Sequence, residues 1–290
     1  EFRRVLFRSE ILSYPEETIK NAINEVPELK MYELMMDRIL KTKPHTLSKE
    51  MEEMLAAVSD ALNAPASIFS ILTNADMTFP TIKDENGNEV ELTEGNYSIF
   101  IKSKDRRVRK EAFEALFNTY YKFKNTLATS LTSSIKNFSF LAKKRNYKSS
   151  IESSLEPNDI PVEVYDNVIK TINDNLDSLH RYVKVKKELL GLDEIHMYDL
   201  YVPVIDTPKE HIEFSKAVDM VNDALKPLGE EYLNIFNSGI KNRWIDIYEN
   251  KGKRKGAYSW GTYDTMPYVL LNYNHELNDV STLAHEMGHS

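Results

Sequence analysis

The amino-acid sequence predicts a mainly α-helical protein with one β-hairpin and one small antiparallel β-sheet near its C-terminal end. The first observation is the distribution of glycine, since only nine occur in 290 residues and five of them fall between Gly239 and Gly288. The second is that residues 96–156 contain neither Gly nor Pro. The third is that apolar residues recur at helical spacing over most of the chain before Gly239. A composition of 41% hydrophobic and 28% charged residues is typical of a globular protein.

Residues 10–76 are predicted to form an N-terminal helical lobe. Pro15 and Pro27 occupy positions that are typical of the first turn of a helix. A further helix is expected to end near Asn63, followed by a shorter one that runs through Ile68. The nine residues before this lobe (EFRRVLFRS) resemble a cloning or assembly scar, so they take no part in the fold prediction.

A β-hairpin is predicted near residues 79–92. Its two arms, FPTIK and EVELT, are separated by Asp-Glu-Asn-Gly-Asn, and Asn86-Gly87 is the dipeptide most typical of a tight hairpin turn. Residues 93–290 are then expected to form a second domain. The run without Gly or Pro predicts one or two long helices.

Three further sequence signals predict helix and strand boundaries in the rest of this second domain. Pro161 begins a predicted helix that runs to Leu190, where Gly191 is expected to end it. Thr207-Pro208-Lys209-Glu210 has the spacing of a capping box at the start of another helix. After Arg243 the pattern changes to three short strands over residues 244–248, 256–260 and 268–271. The last helix is predicted to begin near Asn278 or Asp279.

The last predicted helix contains the sequence His285-Glu286-Met287-Gly288-His289, which is an HExxH motif. Two histidines four residues apart project from the same side of a helix, so both can bind one zinc ion. The glutamate between them lies beside the metal and can deprotonate the water that the metal holds. The alternative for the motif alone is a surface helix with two solvated histidines.

A helical wheel supports the metal interpretation of this helix. Val280, Leu283, Ala284 and Met287 fall within one apolar arc, and the two histidines lie roughly opposite. One face is therefore expected to pack against the protein while the other lines a cleft. Gly288 lies between the ligands, where a close approach could be needed.

Longer segments carry a resemblance to a known family. They are KGKRKGAYSWGTYDTMPYVLLNY followed by LNDVSTLAHEMGHS, GLDEIHMYDLYVPV, SKDRRVRKEAFEALF and SLEPNDIPVEVYDNVI. With these segments the chain resembles oligoendopeptidase F, of the thimet-oligopeptidase-like zinc metallopeptidases, over everything after Ser9. The resemblance implies a multi-helical metallopeptidase fold with a small sheet beside a deep channel, and an endopeptidase that hydrolyses short peptides.

The resemblance also assigns roles to residues of this chain. His285 and His289 correspond to zinc ligands and Glu286 to the general base, with one zinc ion per chain. The family's third ligand, a Glu on a following helix, is expected beyond Ser290, as are its oxyanion-stabilising Tyr and His groups, so truncation at both ends and an inactive fragment are expected. His275-Glu276 departs from the family, which usually has a Gly-containing turn here, and is expected to be a solvated turn.

Four residues of the second predicted strand, Ala257, Tyr258, Ser259 and Trp260, are candidates for substrate binding. If they form an edge strand, an extended peptide could pair with them through backbone hydrogen bonds; the alternative is that they only pack the sheet against the helix. The Lys251–Lys255 and Lys104–Lys110 clusters are expected to be solvated, and His45, His180, His196 and His211 to be single surface or core residues.

The remaining expectations concern partners and location. A net charge of −8 argues against nucleic acid as a partner. No apolar run is expected to be long enough to cross a membrane. With no cysteine and no secretory segment, a reducing cytoplasm is predicted. A helical peptide-binding protein with a non-functional HExxH and a related exopeptidase remain open as alternatives.

Overall fold

The computed structural model describes residues 2–205 and 210–290, and side chains from residue 7 onward. Within these residues, α-helices account for most of the chain, which confirms the predicted fold class. The helices are α1 (Phe2–Ser13), α2 (Glu16–Glu25), α3 (Glu33–Lys41), α4 (Lys49–Ile71), α5 (Tyr97–Ile101), α6 (Arg106–Lys122), α7 (Lys124–Lys144), α8 (Ser150–Leu155), α9 (Val162–Asp174), α10 (Leu176–Leu189), α11 (Phe214–Leu225), α12 (Glu230–Lys241) and α13 (Leu277–His289). The strands are β1 (Thr81–Lys83), β2 (Glu89–Glu91), β3 (Ile245–Asp246), β4 (Tyr258–Trp260) and β5 (Tyr268–Leu270).

The chain divides into two compact units, one formed by Glu1–Ser70 with Lys124–His180 and the other by Ile71–Phe123 with Arg181–Ser290. The boundaries of the predicted lobe and catalytic domain stay a prediction. The capping box at residues 207–210 falls largely outside the described residues. Residues 2–9, left out of the prediction, lie within α1.

Helix α4 continues through a proline that the sequence analysis did not anticipate. Instead of ending near Asn63, it runs to Ile71 with Pro65 inside it, and a turn of π-helix extends it to Asp76. A proline in a helix interior removes one backbone donor and displaces the preceding carbonyls. Here Asn137 of α7 donates to the Leu62 carbonyl, one of those before the proline, at 2.7 Å. Ser130 Oγ, also from α7, donates to the Pro65 carbonyl and adds a second contact at the same place.

The segment formed by α4 and the π-helical turn after it differs from one expectation, which was that no apolar run is long enough to cross a membrane. By length and composition alone, Lys49–Asp76 could cross a membrane, with a mean hydropathy of 1.4 over 18 residues. A single such helix is weak evidence, because core helices and signal sequences pass the same test. The absence of a membrane partner therefore stays a prediction.

Residues 96–156 form four helices rather than the one or two predicted. The breaks lie where polar side chains cap a new helix without the help of Gly or Pro. Asp105 accepts from the Arg107 amide to begin α6, and Ser149 accepts from the Glu152 amide to begin α8. Asn146, in the left-handed region at φ 61°, turns the chain after α7. The helix predicted from Pro161 to Leu190 is likewise divided at Asn175 into α9 and α10.

In the second unit, β1 and β2 form the predicted hairpin. They pair antiparallel, and Gly87 takes the positive φ of 86° that the turn requires. Ile82 and Leu92 from the hairpin are 1% exposed and pack with Ala112 and Leu116 of α6. The hairpin therefore has its own small core with this helix.

The C-terminal sheet has the strand order β3-β5-β4. The expected antiparallel pairing holds between β4 and β5, whereas β3 runs parallel to β5. Parallel pairing of β3 with β5 is possible because the connection between these two strands is long and includes β4. A short hairpin turn, which would make the pair antiparallel, is therefore not required. The core beneath this sheet is shared by α11, α12 and α13, with Phe236, Val269 and Leu283 each at most 3% exposed.

Two glycines of this unit provide a matched test of packing around α13. A Cβ at Gly239 in α12 would lie 2.6 Å from Trp244 Cε3 and 2.8 Å from Met287 Cε, whereas at Gly288 the nearest atom, Tyr232 Oη, is 3.9 Å away. We expect Gly239→Ala to lower the free energy of unfolding by about 1–3 kcal/mol, because overpacking displaces neighbouring side chains. Gly288→Ala is the control, and equal urea midpoints for the two variants would contradict the expectation.

Candidate functional site

The start of α13 is fixed by reciprocal capping. The Asp279 carboxylate accepts from the backbone amides of Glu276 and Asn274, both at 2.9 Å, and Glu276 caps the first turn in return. Glu276 also forms an ion pair with Lys102 at 2.8 Å. The helix therefore begins at Leu277, one or two residues before the predicted start.

The apolar face of α13 lies in the core as the helical wheel predicted. Val280, Leu283 and Met287 are 7%, 0% and 6% exposed, and Ala284 packs against the same cluster. A Cβ at Gly288 would meet only Tyr232 Oη, at 3.9 Å, so packing within the described residues does not require glycine there, and a close approach at this position stays a prediction. Because the apolar face of α13 is fixed in the core, the direction in which the opposite face points is fixed as well.

His285 and His289 lie together on that opposite face, and both are exposed. Their Nε2 atoms are 3.1 Å apart, and their rings meet nearly at right angles, at 86° with centroids 4.7 Å apart. Two nitrogen ligands at about 2.1 Å from one zinc ion lie roughly 3.0–3.4 Å from each other. The pair therefore fits a single zinc ion.

Glu286, between the two histidines, has a different environment. It is 8% exposed, and no hydrogen bond or ion pair to its carboxylate occurs among the described residues. The two carboxylate oxygens still reach solvent, since in the described part of the chain the buried side-chain atoms that lack a partner belong to Arg109, Glu156 and Trp244. Such a group is available to accept a proton.

The structure brings together the two histidines that the sequence predicts as metal ligands. Within residues 2–205 and 210–290, the grouping of three potential ligands is elsewhere, at His211, Glu213 and His275. A catalytic zinc site normally has three protein ligands and one open position. The two imidazoles of the HExxH motif are one ligand short of that number.

The four candidate substrate-binding residues lie in and just before β4, at the edge of the sheet. Tyr258 and Trp260 are exposed, while Ala257 packs against the core. Ser259 Oγ lies 2.8 Å from Ser290 Oγ, directly after the last histidine of α13. An unpartnered edge beside the HExxH helix is the arrangement that an added peptide strand requires.

An open cavity of about 250 Å³ adjoins both the β4 side of the sheet and helix α13. It is lined by Ala257 from the strand side and by Asn278 and Thr282 of α13. At 100° per residue, Asn278 and Thr282 share a helix face with His285 and His289. The cavity therefore lies on the side of α13 that carries the two imidazoles.

Tyr273 connects the end of the sheet to the segment before α11. Its hydroxyl donates to the Ile212 carbonyl at 3.0 Å. Burial, together with the nearby Asp279 carboxylate, raises the pKa of Tyr273 to about 12. The hydroxyl therefore keeps its proton and stays a donor over the whole physiological range.

Several other residues differ from their predicted settings. His275 does not lie in a fully solvated turn: it has φ 64°, its side chain is 28% exposed, and its ring lies 4.1 Å from that of His211. The pair could not be found from sequence because 63 residues separate its members and each is a single histidine. His45 is a structural residue that stacks on Tyr147 at 3.7 Å.

One basic residue of each basic cluster is more buried than predicted, whereas Lys104, Lys110, Lys251 and Lys255 are exposed as expected. Arg109 is 3% exposed and donates to Asp199, which is fully buried, at 2.7 Å; Arg106 donates to the same carboxylate at 2.9 Å. Burial alone would raise the pKa of Asp199, but the hydrogen bonds from the two guanidinium groups outweigh it and lower the pKa. In the other cluster, the Lys253 ammonium is held by Asp246 at 3.2 Å, with a side chain 3% exposed.

Comparison with known families gives two matches. Residues 99–290 match the model described as Peptidase family M3, and residues 10–79 match the model described as Oligopeptidase F. Oligopeptidase PepF of Bacillus subtilis is 48% identical over 97% of this chain and 42% of its own length. Group B oligopeptidase PepB of Streptococcus agalactiae is 41% identical over 98% of this chain and 47% of its own length.

Solved structures give the same result for the fold. Oligoendopeptidase-F from Enterococcus faecium superposes with a TM-score of 0.67 at 39% identity, over 83% of this chain and 44% of that one. A structure described as a putative oligoendopeptidase F from Bacillus anthracis has a TM-score of 0.76 at 20% identity. The chain spans about half the length of the relatives that it matches.

Proposed function

The chain belongs to peptidase family M3, and on that premise we propose that it carries the metal-binding helix of a zinc endopeptidase that hydrolyses short peptides. The observation that carries the proposal is the 3.1 Å spacing of the His285 and His289 Nε2 atoms on the exposed face of α13, with the buried Glu286 between them. The names of the relatives, oligopeptidase and oligoendopeptidase, support the same substrate class.

His285 and His289 would hold the zinc ion, and one further protein ligand would complete the site. When bound, such an ion would supply Lewis-acid chemistry, that is, polarisation of the scissile carbonyl and a lower pKa of water. Glu286 accepts a proton from the attacking water and returns it to the amine that leaves. The absence of any competing partner for its carboxylate among the described residues supports this role.

The β4 edge is proposed to hold the substrate backbone. Main-chain hydrogen bonds to Ala257, Tyr258, Ser259 and Trp260 would align an extended peptide without strong dependence on its side chains. We expect N-methylation of a substrate amide near the scissile bond to lower kcat/KM by roughly tenfold, the cost of about one hydrogen bond. If peptides that are N-methylated at each amide in turn all have the same kcat/KM, β4 does not bind the substrate backbone, and this part of the proposal is wrong.

The substrate class is tested most directly with peptides blocked at both ends. In the protein extended to the full length of its relatives, we expect internal cleavage of an acetylated and amidated peptide of about ten residues, because an extended strand is what an edge can bind. We expect no cleavage of a native globular protein, whose strands are already paired. Mass spectrometry of the products distinguishes the outcomes; removal of terminal residues only, or rapid digestion of the folded protein, would contradict the proposal.

The cellular location follows from composition rather than from the site. A chain without cysteine has no need of an oxidising compartment. We therefore propose a cytoplasmic enzyme that acts on free peptides. Recovery of activity in a periplasmic or culture fraction of the source cells would contradict this assignment.

A further inference from the structure

A second group of metal-ligating side chains lies apart from the HExxH pair. It consists of His211, Glu213 and His275, whose potential ligand atoms all lie within 4.8 Å of one another. His275 precedes α13, and about 12 Å of helix separates Leu277 from His285. The two groups of histidines therefore cannot share one ion.

We propose that His211, Glu213 and His275 form a separate binding site for a divalent transition-metal ion, zinc in the first place. Two imidazoles and one carboxylate are ligands of intermediate softness that suit zinc, cobalt and nickel. Three protein ligands meet the usual minimum for zinc, and water can take a further position. This proposal does not depend on the peptidase activity.

The distances are close to those that a metal requires. His211 Nε2 lies 2.9 Å from Glu213 Oε1, which matches the roughly 3 Å between neighbouring ligand atoms around one ion. His275 Nδ1 lies 3.9 Å from Glu213 Oε2, so a shift of under about 1 Å would bring the third ligand into range. The two imidazole rings are stacked, with centroids 4.1 Å apart and an interplanar angle of 18°, so the exposed His211 ring must turn out of the stack before both rings can point a nitrogen at one ion. The Glu213 carboxylate lies beside both ring nitrogens, and its charge favours a cation.

The backbone already holds the two segments of the site together. The Ile212 amide donates to the His275 carbonyl at 3.0 Å, and Tyr273 Oη donates to the Ile212 carbonyl. His275 Nδ1 is 3.2 Å from that same carbonyl, a contact that coordination through Nδ1 would replace. Because little main chain must be ordered on binding, the entropic cost of forming the site is small.

The two sides of the site differ in mobility. The ring of His275 packs beside two tyrosine rings, with centroid distances of 5.9 Å to Tyr248 and 5.3 Å to Tyr273. His211 and Glu213 have side chains 64% exposed, so they are free to adjust around an ion. A bound ion would join the segment before α11 to the turn that begins α13.

The test is zinc titration of the 290-residue chain by isothermal calorimetry. In a variant with His285→Ala and His289→Ala, we expect one equivalent of zinc to bind. His211→Ala or His275→Asn added to that variant should weaken zinc binding by at least about tenfold, the usual effect of losing a ligand or its support. His180→Ala, which removes an exposed histidine elsewhere, should leave zinc binding unchanged.

The substitutions are chosen to keep the fold. Asn at position 275 tolerates the positive φ there, and His211 is an exposed residue outside the core, so His211→Ala decides the question even if the other variant unfolds. Unchanged far-UV circular dichroism is the check on folding. Failure of the HExxH double variant to bind zinc, or equal binding by His211→Ala and His180→Ala, would overturn the proposal. Because peptide cleavage is not measured, a negative result would leave the peptidase proposal unaffected.

Discussion

Replacing Glu286 by Gln is expected to lower turnover by roughly 10²–10⁴-fold while zinc remains bound. Gln has nearly the same shape as Glu but cannot accept the proton of the attacking water. His285 and His289 are unaltered in this variant, so the metal site keeps both imidazoles. The measurements are kcat on an end-blocked peptide and zinc content, in the protein extended to the full length of its relatives.

The matched control for this experiment is Glu231→Gln. Glu231 lies in the first turn of α12 and is exposed, so its neutralisation should leave kcat within about twofold of the unmodified value. Near-normal turnover of Glu286→Gln with zinc retained would remove Glu286 from the mechanism. Loss of zinc in Glu286→Gln would instead assign the residue to metal binding, which also contradicts the proposal.

The second large effect concerns stability rather than chemistry. Asp199→Ala is expected to lower the free energy of unfolding by about 3–5 kcal/mol, because it leaves the buried Arg109 guanidinium without its counter-charge. Asp193→Ala, an exposed carboxylate in the same loop, should change stability by less than about 0.5 kcal/mol. Urea unfolding at pH 7 measures both, and equal midpoints for the two variants would contradict the role of the ion pair.

The same carboxylate predicts a dependence of stability on pH. The pKa of Asp199 is lowered in the folded protein, whereas an unfolded Asp titrates near about 3.9. The stability that Asp199 contributes is therefore present above about pH 4 and is lost as the pH falls through the lower, folded value. Asp199→Ala should accordingly show a shallower loss of stability in acid than the unmodified chain.

The features that could be predicted from the sequence are those that depend on the spacing of residues close together in the chain. The four-residue interval in His285-Glu286-Met287-Gly288-His289 fixes two imidazoles on one side of any helix. The apolar positions of the same segment fix which face is buried. The Asn86-Gly87 hairpin belongs to the same class, because the turn geometry depends on adjacent residues.

What could not be predicted depends on partners far away in the chain. The sequence predicts Arg109 to be a solvated charge, because its counter-ion, Asp199, lies 90 residues further on and gives no local signal. Helix α4 continues through Pro65 because Asn137 supplies a donor from another helix. The approach of His211 to His275 is of the same kind. Each involves a tertiary contact that overrides the local signal.

The separation of α13 into a packed and an exposed face determines how selection can act on it. Leu283 and Met287 support folding, so a screen for protein abundance would find them intolerant of change. His285 and His289 are exposed, and the same screen would not detect their loss. The Glu286 carboxylate has no partner among the described residues and its oxygens reach solvent, so a neutral substitution there should change abundance little. On the proposed function, selection for catalysis rather than for folding keeps these three residues in the sequence.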